Sequence, residues 1–449
     1  MQREPAALRM ADPGVRAQFN EEARFQSWLD VEATLAQAQA NLEVIPRPAA
    51  DEITRKARLS FLDINAIREG LAKTGHPLVP LIWELDRVCG GGGRAHWGAT
   101  TQNSTQTGKL LMLREAHRIY LSQLAQILAV LANLAEETKD YALPGRTHGQ
   151  HAVPATFGYK VAVWIDELCR HVERLQGCED RVFVAMLGGG AGTLASLGEV
   201  GLEIQDLMAR KLDMKPMTMP ARTTGDHLCE YVTVLGMLAS TCSKIGGEVF
   251  TLMKQEFGEV EESVPPGTVG SSTMPQKRNP KLAQDIVAVA AQIRALVPLA
   301  LEAMITEHEA NRTTSVMMNR ALDQSAVLTG DLLQYVIELF SGIQVFPERM
   351  RANLDLSGGL IMSEAIMLEL GRKLGRQRAH DAVYDAAQAS VVESRPFKDT
   401  LAEVSDVASN MTPQEIEVLL DPTEYTSICS LFAQRKVAKA REVAASLNS

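Results

Sequence analysis

Between Thr107 and Asp140 the chain has no proline and a single glycine, Gly108. Leu113, Tyr120, Leu124, Leu128, Leu131 and Ala135 recur there close to the period of one helix face. The spacing predicts one helix of roughly 30 residues, far beyond the usual 10–14. Residues 155–185, 226–257, 281–302 and 318–343 carry four more long helical patterns, with short Gly- and Pro-rich turns between them. Pro298 is placed to kink the fourth of the five. Aromatic residues make up only 5% of the chain, so Leu, Ala, Val, Ile and Met must fill the core. That favours packed helices over a β-sandwich. The expected fold is all-α, with an elongated bundle of long helices over residues 106–355.

The flanks read differently. Phe25, Trp28, Leu29, Val31, Leu35 and Ala38 mark an amphipathic helix over 20–45. Residues 60–88 read as short helices broken by Gly75 and Pro77. Together they make an N-terminal helical domain over 1–105. Leu356-Ser357-Gly358-Gly359 is a break, and the short helical segments after it make a C-terminal domain over 356–449. A bundle this apolar has surface to share, so a homo-oligomer is expected.

Charge and cysteine usage narrow the function classes. The 55 acidic residues outnumber the 45 basic ones and give a formal net charge of −10, which argues against a nucleic-acid partner. The six cysteines form no CxxC pair and suggest neither a zinc site nor a disulfide frame. Reduced thiols, hence a cytoplasmic location, are expected. Met1 to Asn20 has no apolar run, and no stretch of about 18 apolar residues follows, so neither a signal peptide nor a membrane span is expected.

Three stretches carry chemistry. Residues 267–280 are crowded with small, hydroxylic and cationic side chains, and glycine and proline at both ends mark a loop. Lys277 and Asn279 lie two apart and together suit one carboxylate, by charge and by hydrogen bonds. The second stretch is Gly145-Arg146-Thr147-His148-Gly149-Gln150-His151, a connector between two long helical patterns. A histidine in a Gly-flanked connector is well placed for proton transfer. The third follows four glycines, Gly90 to Gly93, and runs from His96 through Thr100 and Thr101 to Asn103. No GK[ST] follows those glycines and no strand precedes them, so a phosphate loop is disfavoured.

The first stretch resembles the signature of the fumarase/aspartase superfamily, GSS-x-MP-x-K-x-N. Every fixed position matches: Gly270, Ser271, Ser272, Met274, Pro275, Lys277 and Asn279. The second resembles the TH-G-Q element of the adenylosuccinate lyase branch, through Thr147, His148, Gly149 and Gln150. The third is similar to the pattern H-x-G-x-T-S-x-D, with Thr101 for Ser and Asn103 for Asp. Gly188 to Thr193 resembles the family's GA-x-GT turn, and His308-Glu309 its HE pair.

The resemblance implies β-elimination from a succinyl-type dicarboxylate, by C–N cleavage, with release of fumarate. Ser271 would be the base and His148 the acid. Lys277 and Asn279 would hold the carboxylate that takes the charge, and Thr100, Thr101 and Ser272 the other end. His96, Asn103, Thr147, Gln150, Met274 and Arg278 complete the implied substrate contacts. No metal or organic cofactor is implied. The partners implied are the small dicarboxylate and three further copies of the chain, each site combining stretches from three subunits.

Several positions depart from the adenylosuccinate lyase pattern. Gln284 stands where a glutamate pairs with the acid histidine, and Gly225 where the R-D-R/H-x-x-E run begins. Ala310-Asn311 stands where R-D follows the HE pair. Residues 15–20 lack the Arg-Tyr pair that binds nucleotide phosphate, so an AMP-bearing adduct is expected to be a poor substrate. Asp12 to Arg16 and Lys373 to His380 look closer to 3-carboxymuconate cycloisomerases, which typically lack TH-G-Q. That activity is the runner-up; a silent helical scaffold is disfavoured by the intact Ser271, His148, Lys277 and Asn279.

Overall fold

The computed structural model describes residues 8, 10–264, 267, 271 and 273–448. Helices dominate it. The ones used below are α1 (Glu21–Asn41), α2 (Ile64–Thr74), α3 (Val79–Val88), α4 (Thr101–Glu137), α5 (Phe157–Val182), α6 (Asp226–Leu252), α7 (Lys281–Glu302) and α8 (Arg312–Ser341). The all-α expectation holds, and so do the five long helices. Two of them start earlier than the apolar period shows. Asn103 Oδ1 accepts the Thr100 N–H at 3.0 Å, one half of a capping box, and so begins α4 at Thr101. Asn311 Oδ1 accepts the Thr313 N–H at 2.8 Å and begins α8 at Arg312.

The connector around His148 carries regular structure that the sequence did not announce. It is a β-hairpin, β1 (Ala142–Thr147) and β2 (Gln150–Thr156). Thr147 pairs with Gln150, leaving His148 and Gly149 as a two-residue turn. Both take left-handed φ, 52° and 78°, as such a turn requires. The strands hid because Pro144 sits opposite Pro154 and each removes a ladder donor. The register shifts between Pro144 and Arg146. A Cβ on Gly145 would lie 2.5 Å from the Val153 carbonyl oxygen, so only glycine fits that irregularity.

The chain divides into two interleaved compact units. One comprises Met1–Gln123, His171–Ser243 and Ala288–Gln334; the other Leu124–Arg170, Lys244–Val287 and Tyr335–Ser449. In the first, α1 to α3 and the helix Arg47–Lys56 bury Phe25, Leu29, Ile53, Ile67, Leu81 and Leu85 in one cluster. Here α1 approaches α4 so closely that a Cβ on Gly108 would meet Trp28 Cδ1 at 2.7 Å. In the second unit, residues after the glycine break fold on their own cluster of Ile366, Leu370, Phe397, Leu401 and Val407.

By length and composition α4 and α7 could each cross a membrane, against the sequence reading. In α4 the apolar residues form a core: Leu113, Tyr120, Leu124, Leu128 and Leu131 are fully buried. In α7 they do not all find cover, and Val287 and Leu301 stay exposed in the single chain, as do Met304 and Ile305 just after it.

Candidate active site

The candidate residues fall into two sets, one in each unit. In the second unit, β1 and β2 carry His148 at their tip, where Thr147, His148 and Gln150 are all exposed in the single chain. The hairpin is anchored next to its turn. Arg146 donates to both oxygens of Glu259, at 2.6 and 3.1 Å, and Glu259 is fully buried. Asn353 Nδ2 donates to the same carboxylate at 2.7 Å, and the Arg146 guanidinium lies 4.9 Å above the Phe257 ring. A planar fork held on three sides fixes the direction in which the hairpin projects. His151, opposite Arg146 in the ladder, is held below its ordinary value by burial first and by the Arg146 charge second, so it is a neutral ring at pH 7.

The same unit carries the signature loop. Ser271 Oγ accepts the Met274 N–H at 3.1 Å, with the Thr273 N–H at 3.4 Å. Two amide dipoles therefore point at the oxygen that must bear negative charge if Ser271 is to act as a base. Met274, Lys277 and Arg278 are exposed, and Arg278 lies 3.8 Å from Glu261. Asn279 is half-buried just before α7. Glu262, buried, accepts the first free N–H groups of that helix from Leu282 at 3.0 Å and Ala283 at 2.7 Å. Gln284 is exposed on its first turn. Ser272 and Gly270 lie outside the described residues.

In the first unit the start of α4 gathers His96, Thr100, Thr101 and Asn103. His96 holds a left-handed backbone, φ 60°, and its Nδ1 lies 2.7 Å from Glu32 Oε1 on α1. Ser104 donates to the same oxygen at 2.5 Å. Gln39, seven residues along α1, donates to the Trp97 carbonyl at 2.6 Å. Asn103 is buried, and its oxygen also accepts the Gly189 N–H at 3.1 Å, tying the 188–193 turn to the helix start. Thr101 Oγ1 sits 3.3 Å from His76 Nε2. His76 Nδ1 accepts the Val79 N–H at 3.1 Å, so the ring proton is on Nε2 and points at Thr101. The threonine hydrogen is thereby left for a ligand.

A family model described as "Lyase" matches residues 7–295, and one described as "Adenylosuccinate lyase C-terminus" matches 359–435. An N-acetyl-S-(2-succino)cysteine lyase of Enterococcus italicus is 39% identical over 93% of this chain and 92% of its own. An adenylosuccinate lyase of Methanothermobacter thermautotrophicus is 36% identical over 98% and 99%. The crystal structure of the 3-carboxy-cis,cis-muconate lactonizing enzyme from Pseudomonas putida superposes with a TM-score of 0.87, at 32% identity over 97% of this chain and 98% of its own.

This chain is a lyase of the fumarase/aspartase superfamily.

The lyase holds groups near its site stretches that local sequence did not reveal. His76 carries no motif; its one signal is its place between Gly75 and Pro77, just before α3. Glu32 and Glu259 stand 64 and 113 residues from His96 and Arg146, so no local pattern joins them. A carboxylate buried on an otherwise apolar helix stripe was the available clue for Glu32.

Glu32 sets the charge of His96. Burial disfavours the charged ring, but the Glu32 charge and hydrogen bond outweigh it and hold His96 above its ordinary 6.5. The stabilisation from this pair is therefore complete below about pH 6.5 and is lost as pH rises through the elevated value. In Glu32→Gln protein the burial remains and the charge is gone. His96 is expected to titrate below 6.5 instead of above it. Following the imidazole carbons by NMR from pH 5 to 9 reads the change, and an unmoved titration would show that Glu32 does not hold the proton.

Proposed function

We propose that this lyase removes a proton and a leaving group from a succinyl-type dicarboxylate and releases fumarate. Ser271 takes the proton next to the carboxylate, giving an enediolate. Lys277 and Asn279 hold the carboxylate on which that charge collects, and Thr100 and Thr101 hold the far end. His148 protonates the departing atom. The observation that carries this reading is the pair of N–H groups aimed at Ser271 Oγ, because a serine base needs its alkoxide stabilised before it can act. The bond broken is C–N. A sulfur leaving atom is the second reading, favoured by the 39% identity to a succinocysteine lyase. Carboxymuconate cycloisomerase activity remains the alternative within the superfamily. A screen for fumarate release, or for fumarate consumption in the presence of amines and thiols, tests all three: lactone formation without fumarate would reverse the assignment.

The site is shared between copies in a homotetramer. Support comes from His148, exposed at a hairpin tip with its acid role still to be met, and from the uncovered apolar residues of α7. Ser271→Ala and His148→Ala proteins, each inactive, are expected to regain a fraction of activity when their subunits exchange. No recovery after exchange shown by mass labelling would exclude a shared site.

A further inference from the structure

One cavity of the first unit has a lining that bears on the leaving group. It encloses about 750 Å³ and opens at the starts of α4 and α8, with Thr100 and Thr101 on its wall. That volume suits a drug-sized ligand and exceeds what a four-carbon diacid needs. Two wall positions carry small residues. Gly225 and Ala310 both line the cavity, at the two places where the adenylosuccinate lyase pattern has arginine. Nothing in the backbone demands glycine at 225. A Cβ there would meet only the Met318 methyl, at 3.7 Å, and its φ is not left-handed.

The charge of the lining is one-sided. None of the described residues around the cavity is Asp or Glu, whereas Lys109, Arg222 and Arg312 all face it. Lys109 meets an anion, and Arg222 is held in place by neutral acceptors. Lys109 is ion-paired with Asp323, and Arg222 donates to Gln102 at 3.1 Å and to the Gly190 carbonyl at 2.8 Å. Arg312, the exposed first residue of α8, has no ion pair among the described residues. Leu71, Leu228, Met318 and Leu322 add apolar lining to the same cavity.

Resting on the elimination proposed above, we infer that this cavity receives the leaving group, a bulky amine or thiol bearing one carboxylate that Arg312 meets at the rim. Arg312 is the guanidinium whose forked donors are not already directed at protein acceptors among the described residues, and one such fork matches one carboxylate. A phosphate dianion calls for more, and the positions that would supply it are Gly225 and Ala310. In the step itself the C–N or C–S electron pair stays with the departing atom, His148 supplies its proton, and the carboxylate passes through unchanged.

The test compares three succinyl thioethers: that of N-acetylcysteine, that of its carboxamide, and methylsulfanylsuccinate. In wild-type enzyme kcat/KM for fumarate release is expected to favour the free carboxylate over the carboxamide by about ten- to a hundred-fold, the range for one charge-assisted contact. Arg312→Gln should shrink that preference to about three-fold or less. Gly225→Arg should shift the ratio of N-acetylcysteine adduct to methyl adduct downward by ten-fold or more, as the guanidinium refills the space. Calorimetric binding of N-acetylcysteine and its carboxamide, to wild type and Arg312→Gln, reads the cavity without turnover. Equal handling of carboxylate and carboxamide in both assays overturns the inference, whatever the rates. Discrimination in binding with no fumarate from any adduct upholds the cavity and sinks the elimination instead.

Discussion

Ser271→Ala enzyme is expected to bind substrate about as tightly as wild type and to turn it over several orders of magnitude more slowly. The hydroxyl is small, and its removal leaves Lys277, Asn279 and the threonines where they are. Binding that is equal in ground and transition states survives; what goes is the group proposed to take the proton. The Met274 and Thr273 N–H groups that face Ser271 Oγ would then face a methyl. His148→Ala should fail differently. A good leaving group departs without a proton, so this variant is expected to lose most with basic amines and least with acidic thiols. The measurement is kcat and dissociation constant for both variants across leaving groups of graded basicity. A Ser271→Ala enzyme that keeps most of its turnover places the base elsewhere. A flat His148→Ala response across the series removes it as the acid.

Arg146→Ala is expected to cost about 3–5 kcal/mol of stability, because it strands a buried carboxylate. Glu259 has no exposed surface, and with Arg146 gone Asn353 is the one side chain among the described residues that still donates to it. Lysine cannot make two parallel contacts, so Arg146→Lys should recover part of the loss and not all of it. The double variant Arg146→Met with Glu259→Leu should be more stable than Arg146→Ala alone, since no unpaired charge is left inside. Urea midpoints for the three proteins test this order. If Arg146→Ala unfolds at the wild-type urea concentration, the pair does not anchor the hairpin. A hairpin left without its anchor also points His148 loosely, so kcat should fall in the double variant even where stability returns.

What could be read along the chain was what repeats within it. The long helices announced themselves because an apolar residue every three or four positions is a local signal. Their starts did not, because each is set by one capping hydrogen bond, to Asn103 or to Asn311. The hairpin was missed for a related reason: opposed prolines and a two-residue turn look like a loop when pairing is unseen. The same divide runs through the site. Ser271, Lys277, Asn279 and His148 sit in short fixed-spacing motifs and stood out. Glu32, His76, Glu259 and Arg312 matter through what lies beside them in space. Asn103 was expected to meet substrate; in the fold its oxygen already serves two backbone N–H groups, of Thr100 and Gly189. The split into two units was unreadable because each is assembled from three separated stretches.

That interleaving has a consequence for how such a protein diversifies. Ser271 and His148, the residues proposed to move protons, belong to one unit and the walls of the proposed leaving-group cavity to the other, yet neither unit is a continuous stretch of sequence. A single recombination event cannot graft one lyase's cavity onto another's proton-transfer groups. Under the proposed roles, substrate range changes by point substitution on the walls, at positions such as Gly225 and Ala310, without touching the hairpin or the serine loop.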